Sequence, residues 1–216
     1  QTPEKERSPI AYQEIENLVQ TKGVKYFFND QAGLTLARNT GASVAMGELL
    51  VFLDDDIFVP EYFLDQYERI FADDNLGAAT GMVLVHSKDD GTFKPLVVQE
   101  SLPTKPNMLR GGNFAIRHHV FLQIGGMDER FVRACQHEDW DLAWRVYEAG
   151  WKAIWSPNPW CYHAAIGEGG GRWKSFKGIE DRVYNTAYFH LRHPAALGGK
   201  AALFRHVFRQ FIVNRS

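Results

Sequence analysis

The chain has 216 residues, a length that fits one globular domain with a buried core. Its 24 basic and 26 acidic side chains give a net charge of −2, so the composition offers no basic footprint for nucleic acid. The two cysteines, Cys135 and Cys161, form neither a zinc-binding spacing nor a disulfide framework, which favours a reducing compartment. No apolar run approaches the length of a membrane-spanning helix, and no signal peptide is recognisable.

Predicted helices and strands alternate along most of the chain. After a polar tail or linker at residues 1–9, apolar periodicity and the positions of Gly and Pro define the elements. The predicted helices cover residues 10–20, 33–46, 61–72, 120–124, 138–149, 173–191 and 200–213. The predicted strands cover residues 24–28, 49–53, 77–85, 93–99, 113–116 and 151–155, of which 93–99 is the hairpin partner of 77–85. The alternation indicates an α/β layered domain over residues 10–191, with a mainly parallel central sheet.

Three consecutive carboxylates, Asp54, Asp55 and Asp56, follow the strand at 49–53. This strand is apolar on both faces, as is typical of a strand buried in a parallel sheet. Ligands bind at the carboxyl edge of such sheets. Adjacent carboxylates repel unless a cation neutralises them, and oxygen ligands suit Mg²⁺ or Mn²⁺. The run therefore predicts a metal site, with a solvated acidic turn as the alternative.

The segment from Gly33 to Asp56 resembles the central motif of family 2 glycosyltransferases of the GT-A fold. There, a Gly-Leu-x-x-Ala-Arg-Asn-x-Gly helix precedes an Ala-x-Gly-Glu strand that delivers a DxD motif. The resemblance implies a three-layer GT-A sandwich, in which Asp54, Asp55 and Asp56 contact the sugar donor. It also implies that Asp54 and Asp56 hold the metal, with Asp56 as the more direct ligand, and that Arg38 lies near the donor.

Residues 109–117 resemble the segment of this family that lies below the acceptor site. The resemblance assigns Gly111, Gly112 and Asn113 to the acceptor side. Adjacent glycines allow the backbone to approach a ligand closely, although a tight turn into a strand would explain them equally. Residues 125–131 also resemble the family and are expected to be structural.

Residues 137–142 resemble the family's Glu-Asp motif at the start of a helix. The resemblance makes Asp139 the base that takes the proton of the acceptor hydroxyl, with Glu138 beside it. Trp140 would shape the acceptor side, and Asp141 is either structural or a further acceptor contact. The simpler alternative is that these acidic residues only stabilise the helix N-terminus.

Three further features complete the pattern. In many family members a histidine at the place of His163 ligates the metal from the far side, which the resemblance carries over to this residue. Arg145 lies one helical turn after Asp141 and can pair with it. The glycine-rich residues 164–172 can form a loop that closes over a donor, or a plain surface linker.

The resemblance covers residues 24–163 and departs from the family before that stretch. Family members begin with a strand, a helix and a second strand that together grip the nucleotide base, and no match to this unit is found. We therefore expect an N-terminally truncated GT-A domain that keeps the metal, base and acceptor half. Such a chain would be inactive if the missing unit is required.

Residues 192–216 are predicted to form a basic amphipathic helix. Its apolar stripe comprises Leu203, Phe204, Val207, Phe208, Phe211 and Ile212, and basic side chains occupy the other face. Such a helix can pack on its own domain or on a second subunit of a homodimer, or it can lie on an anionic membrane surface. The protein is predicted to be cytoplasmic, and contact of this helix with a membrane would place it at the inner face of that membrane.

The predicted function is metal-dependent, inverting transfer of a sugar from a nucleotide-diphosphate sugar to a hydroxyl acceptor. The acceptor would be a carbohydrate or a lipid-linked molecule, in polysaccharide or glycoconjugate synthesis, and the metal would be Mg²⁺ or Mn²⁺. One alternative is a non-catalytic module of the same fold that binds a carbohydrate or a partner. The other is a phosphatase or nucleotidyltransferase that uses the same acidic cluster.

Overall fold

The computed structural model describes residues 13, 17, 19–27, 29–31, 33–86, 92–95, 109, 111–132, 136–164 and 176–197. Its helices are α1 (Leu34–Val44), α2 (Phe63–Ile70), α3 (His118–Gln123), α4 (Glu138–Glu148) and α5 (Phe176–Arg192), followed by a 3-10 turn (Pro194–Leu197). Its strands are β1 (Leu49–Leu53), β2 (Ile57–Phe58), β3 (Leu76–His86), β4 (Phe93–Pro95), β5 (Asn113–Arg117) and β6 (Lys152–His163). Residues 19–22 are also helical. Most predicted elements are confirmed, with boundaries that move by a few residues.

The strands form one sheet in the order β1-β5-β3-β6-β2, and β4 pairs with β3. The pairing of β3 with β6 is parallel, whereas the other described pairings are antiparallel. The sheet is therefore mixed, and the prediction of a mainly parallel sheet is wrong for the described strands. Local apolar patterns mark a strand as buried, but they carry no information on the direction of its neighbour.

The strand that precedes the carboxylates lies at one end of this strand order. β1 pairs antiparallel with β5, from Leu49 opposite Arg117 to Leu53 opposite Asn113. Leu53 is 42% exposed, so β1 is not enclosed on all sides as its apolar composition predicts. The buried interior strand is β5 instead, because Asn113, Phe114, Ala115 and Ile116 are all fully buried.

The strand predicted at residues 24–28 is wrong for the part that the structure describes. Residues 24–27 lie outside any strand, and Val24, Tyr26 and Phe27 are each about half exposed. An apolar segment becomes a strand only where another strand offers hydrogen-bond partners. Among the described residues, no strand pairs with this segment.

β6 is much longer than the predicted strand at 151–155. It passes through Pro157 and ends at His163. The register explains this, because Thr80 lies opposite Trp155 while Met82 lies opposite Trp160. Residues 156–159 therefore bulge out of the ladder, and prolines are tolerated where no ladder donor is needed. The extension carries the chain to the position of His163.

The core lies on both faces of the sheet, as a three-layer sandwich requires. On one face, Phe114 and Ile116 pack with Leu142 of α4 and with side chains of α1 and α3. On the other face, Ala115 and Cys161 pack against α2. α1 joins the first layer through Thr35, Arg38 and Ala42, which share one helical stripe.

The C-terminal segment is described only in part. Residues 192–197 finish α5 and form the 3-10 turn, and the predicted helix at 200–213 lies outside the described residues, as do residues 165–172 of the glycine-rich stretch. Within the described part of the chain, no helix has the length and apolarity to cross a bilayer.

Candidate metal and catalytic site

The backbone brings Asp54, Asp56 and His163 together. Asp54 directly follows β1, and Asp56 lies in the turn before β2. β2 pairs with the end of β6, so that Ile57 lies opposite His163 and the amide of Ala164 donates to the carbonyl of Asp56 (2.8 Å). One ligand atom from each of the three side chains lies within 4.8 Å of the others. The three residues predicted as metal ligands therefore form one cluster.

The chemistry of this cluster fits a hard divalent cation. Burial raises the pKa of Asp54, the nearby Arg38 and His163 lower it, and Asp56 and Asp55 raise it further. The side chains of Asp54, Asp56 and His163 are 35%, 28% and 27% exposed, so the cluster is open to a ligand on one side. Two carboxylates and an imidazole are donors that Mn²⁺ or Mg²⁺ accepts. Asp55 is exposed and lies outside the cluster.

Gly112 allows Asp54 to occupy its position. A Cβ at Gly112 would lie 2.8 Å from Oδ2 of Asp54, closer than real side chains approach. The carbonyl of Gly112 also accepts a hydrogen bond from the amide of Asp54, at 3.4 Å. The acceptor-side assignment of this glycine stays a prediction, and the absence of a side chain here makes room for Asp54 of the cluster.

Arg38 of α1 lies beneath the cluster and is 7% exposed. Its Nη1 donates to Oε1 of Glu138 (3.3 Å), and its Nη2 donates to the carbonyl of Gly111 (2.7 Å). Nη2 also lies 3.7 Å from Oδ1 of Asp54, and the guanidinium group stacks on the ring of Phe114. These contacts are to protein groups, and the predicted position of this side chain near the donor stays a prediction.

Glu138 and Asp139 occupy the first turn of α4 in different environments. Burial, and then the charge of Asp139, raise the pKa of Glu138 to about 8, although Arg38 opposes this rise. Asp139 is partly exposed, and its Oδ2 accepts a hydrogen bond from the amide of Gly111 at 3.0 Å. The amide of Trp140 donates to its Oδ1 at 2.9 Å. Of the two carboxylates, Asp139 is therefore the more accessible to solvent.

Two residues predicted on the acceptor side have other surroundings. Asn113 is fully buried, where it accepts a hydrogen bond from the hydroxyl of Tyr67 (2.6 Å) and donates to the carbonyl of Pro159 (3.3 Å). These contacts hold the side chain of Asn113 in the core, and the assignment of this residue to the acceptor side stays a prediction. Trp140 is half-buried and packs against the rings of His137 and Phe189.

Asp141 is fully buried, which favours the structural alternative for this residue over the acceptor contact. Its Oδ2 accepts a hydrogen bond from Nε of Arg145 at 2.7 Å, as the helical spacing predicts. Its Oδ1 lies 2.8 Å from Nε2 of His193 and 3.2 Å from Nε of Arg192. Asp141 thus ties α4 to the end of α5.

The sequence offered no signal for several residues that build the site. Tyr67 holds Asn113, while Arg192 and His193 hold the helix that carries Asp139. Each contact joins residues far apart in the chain, and none of the three belongs to a motif. Of the three, only Tyr67 has a side chain that is generally expected to be buried, because aromatic side chains usually pack inside.

Comparison with known proteins gives matches to glycosyltransferases. The sequence model described as "Glycosyl transferase family 2" matches residues 5–126. Polypeptide N-acetylgalactosaminyltransferase 8 of Drosophila melanogaster is 24% identical over 163 residues, which are 65% of this chain and 27% of that protein.

Solved structures of similar fold include the mannosyltransferase PcManGT from Pyrobaculum calidifontis, in complex with GDP-Man and Mn²⁺. It has a TM-score of 0.63 and 16% identity, over 97% of this chain and 59% of that chain. GalNAc-T7 with UDP, GalNAc and Mn²⁺ has a TM-score of 0.60 and 18% identity, over 94% of this chain and 46% of that chain. TarS of S. aureus has a TM-score of 0.56 and 12% identity, over 85% and 52%.

The chain spans between about a quarter and three fifths of the length of these relatives. The structural likenesses confirm the expected GT-A fold, since at such low identity they bear on the fold alone. The family match is of another kind, because it extends over more than half of the chain. On that match, the chain belongs to glycosyltransferase family 2.

Proposed function

We propose that this chain carries the metal ligands and the base of a glycosyltransferase that uses a nucleotide-diphosphate sugar as donor and a hydroxyl group as acceptor. The observation that carries the proposal is the cluster of Asp54, Asp56 and His163. The adjacent pair Gly111 and Gly112 links this cluster to Asp139. Sugar transfer from a diphosphate needs a cation site beside a carboxylate that can act as a base, and here backbone hydrogen bonds hold that carboxylate in place.

The metal would be Mn²⁺ or Mg²⁺, held by Asp54, Asp56 and His163. When bound, such an ion supplies charge neutralisation for the diphosphate that leaves. Two relatives of similar fold were solved with Mn²⁺ together with GDP-Man or with UDP and GalNAc, which supports this assignment. Burial of Asp54 supports it as well, because a buried carboxylate near two others is stabilised by a cation.

Asp139 is the proposed base. It takes the proton of the acceptor hydroxyl while that oxygen forms a bond to the anomeric carbon. The bond between the anomeric carbon and the phosphate oxygen breaks on the opposite side, so the nucleoside diphosphate leaves and the configuration inverts. Glu138 is unsuited to this step at neutral pH, because a carboxyl group with a pKa of about 8 already holds its proton.

Calorimetric titration with Mn²⁺ and a panel of nucleoside diphosphates tests the metal site. We expect Asp54→Asn and His163→Ala to weaken Mn²⁺ binding by about tenfold or more, because the first removes a negative charge from the cluster and the second removes a donor atom. Asp74→Asn is the matched control, since that side chain is fully exposed and lies on a turn away from the cluster. Mn²⁺ affinity that is equal in all four proteins would contradict the assigned site.

Release of nucleoside diphosphate from a panel of nucleotide sugars, with and without simple sugar acceptors, tests the reaction. Sugar transfer with an inverted anomeric centre, seen by proton NMR, is the expected result. Release of inorganic phosphate or pyrophosphate would instead indicate a phosphatase or a nucleotidyltransferase. Mn²⁺ and nucleotide binding without any release would indicate a non-catalytic module.

A further inference from the structure

Arg38 contacts Asp54 of the metal cluster, Gly111 of the glycine pair and Glu138 of the acidic pair of α4. Its guanidinium group lies 3.7 Å from Asp54, 2.7 Å from the carbonyl of Gly111 and 3.3 Å from Glu138. It is 7% exposed and stacks on the buried ring of Phe114. Two hydrogen bonds and an ion pair, on a planar group with a buried face, restrict this side chain to a well-defined position.

Gly111 connects Arg38 to Asp139 through two hydrogen bonds. Its carbonyl accepts from Arg38, and its amide donates to Oδ2 of Asp139 at 3.0 Å. A Cβ at Gly111 would lie 3.0 Å from Nη2 of Arg38 and 3.6 Å from Oε1 of Glu138. The glycine therefore permits the guanidinium group to lie directly against the backbone that holds the base.

We propose that Arg38 is a positioning residue that holds the 111–112 backbone, and through it Asp139, in register with the metal ligand Asp54. This inference rests on the proposed function in that it takes Asp139 as the base. It differs from the role implied by the family resemblance, in which the arginine lies near the donor. A donor-contacting arginine governs donor affinity, whereas a positioning arginine governs the rate of the chemical step.

The first test compares Arg38→Met and Arg38→Lys with a control, Arg117→Met. Arg117 also buries its guanidinium group against a ring, that of Phe71, and donates to the carbonyls of Leu76 and Phe71. It therefore matches Arg38 as an anchoring arginine, but it lies outside the site. If the substitutions acted only by lowering the stability of the protein, Arg38→Met and Arg117→Met should have the same effects.

Hydrogen exchange of the Gly111 amide, followed in protein labelled with ¹⁵N-glycine, measures how firmly this backbone is held. The measurement does not require enzymatic activity. We expect exchange to be faster by about tenfold or more in Arg38→Met and unchanged in Arg117→Met, because the carbonyl of Gly111 loses its charged donor. Arg38→Lys should restore little of the protection, since one ammonium group does not span three partners. Gly111 exchange that is the same in Arg38→Met and the wild type overturns the proposal.

Transfer kinetics and donor titration give the second readout. In Arg38→Met we expect kcat to fall by about 100-fold, because the base is displaced, while the Kd for Mn²⁺ with nucleoside diphosphate changes by less than about threefold. A tenfold weaker Kd with unchanged kcat would assign Arg38 to the donor and overturn the proposal. If the wild type itself shows no transfer, the proposed function fails, and Gly111 exchange still decides whether Arg38 positions this backbone.

Discussion

Replacing Glu138 by Gln tests whether this buried carboxyl group destabilises the fold as the pH rises. Glu138 is 5% exposed, and burial together with the charge of Asp139 raises its pKa from the ordinary 4.5 to about 8. Between these two values the unfolded chain has already lost the proton that the folded protein keeps. The free energy of unfolding of the wild type therefore falls across this window, and Glu138 has no such effect below about pH 4.5.

The raised pKa of Glu138 sets an upper limit on this change in the free energy of unfolding. The window is about 3.5 pH units wide, which corresponds to an upper limit of roughly 5 kcal/mol at about 1.4 kcal/mol per unit. Gln has the shape of Glu and keeps an oxygen that can accept the hydrogen bond from Arg38, but it has no proton to lose. Relative to the wild type, we expect Glu138→Gln to gain about 2 kcal/mol or more between pH 4.5 and pH 8.

Urea denaturation of the wild type and the variant at four pH values between 4.5 and 8 measures the difference. The control is Glu68→Gln on α2, where the side chain is exposed and loss of the same charge should leave a nearly constant difference. The reasoning about Glu138 is refuted if the stability difference between Glu138→Gln and the wild type does not grow as the pH rises.

Three further substitutions follow from the site. Gly112→Ala places a methyl group 2.8 Å from Oδ2 of Asp54, so Mn²⁺ binding measured by calorimetry should weaken by about tenfold or more; unchanged affinity would show that Asp54 does not need this space. Asp139→Asn should lower kcat by about 10²- to 10⁴-fold with an unchanged circular dichroism spectrum, and near-normal kcat would remove Asp139 as the base. Asp141→Asn leaves the buried Arg145 without its carboxylate partner and should cost about 3–5 kcal/mol in urea denaturation, whereas a loss below about 1 kcal/mol would contradict a structural role.

Elements whose signals are local could be predicted closely. α1 and β1 follow from helical spacing, a closing glycine and an apolar run, all within about 20 residues of chain. The metal cluster was also predictable, because the resemblance named its three residues in order along the chain. Its assembly nevertheless depends on β2 and on the long β6, and neither was expected as it stands.

Predictions of secondary structure were wrong where contacts with residues distant in the chain determine the local conformation. The apolar residues at 24–27 have a strand-like pattern but no neighbouring strand in the described part of the chain. Pro157 is a strand breaker by local rules, yet the bulge in β6 removes the need for its missing amide.

The sequence alone determined the family and the chemical types in the site, because residue order and local periodicity are written along the chain. The tertiary structure decided the roles. Arg38 meets Gly111 from 73 residues away and Glu138 from 100 residues away, and no spacing rule reaches across such intervals. Burial then separates two adjacent carboxylates, because Glu138 lies against this guanidinium group inside the protein while Asp139 remains partly exposed. Solvent exposure and long-range contacts, which set both pKa and access, arise only when the layers pack together.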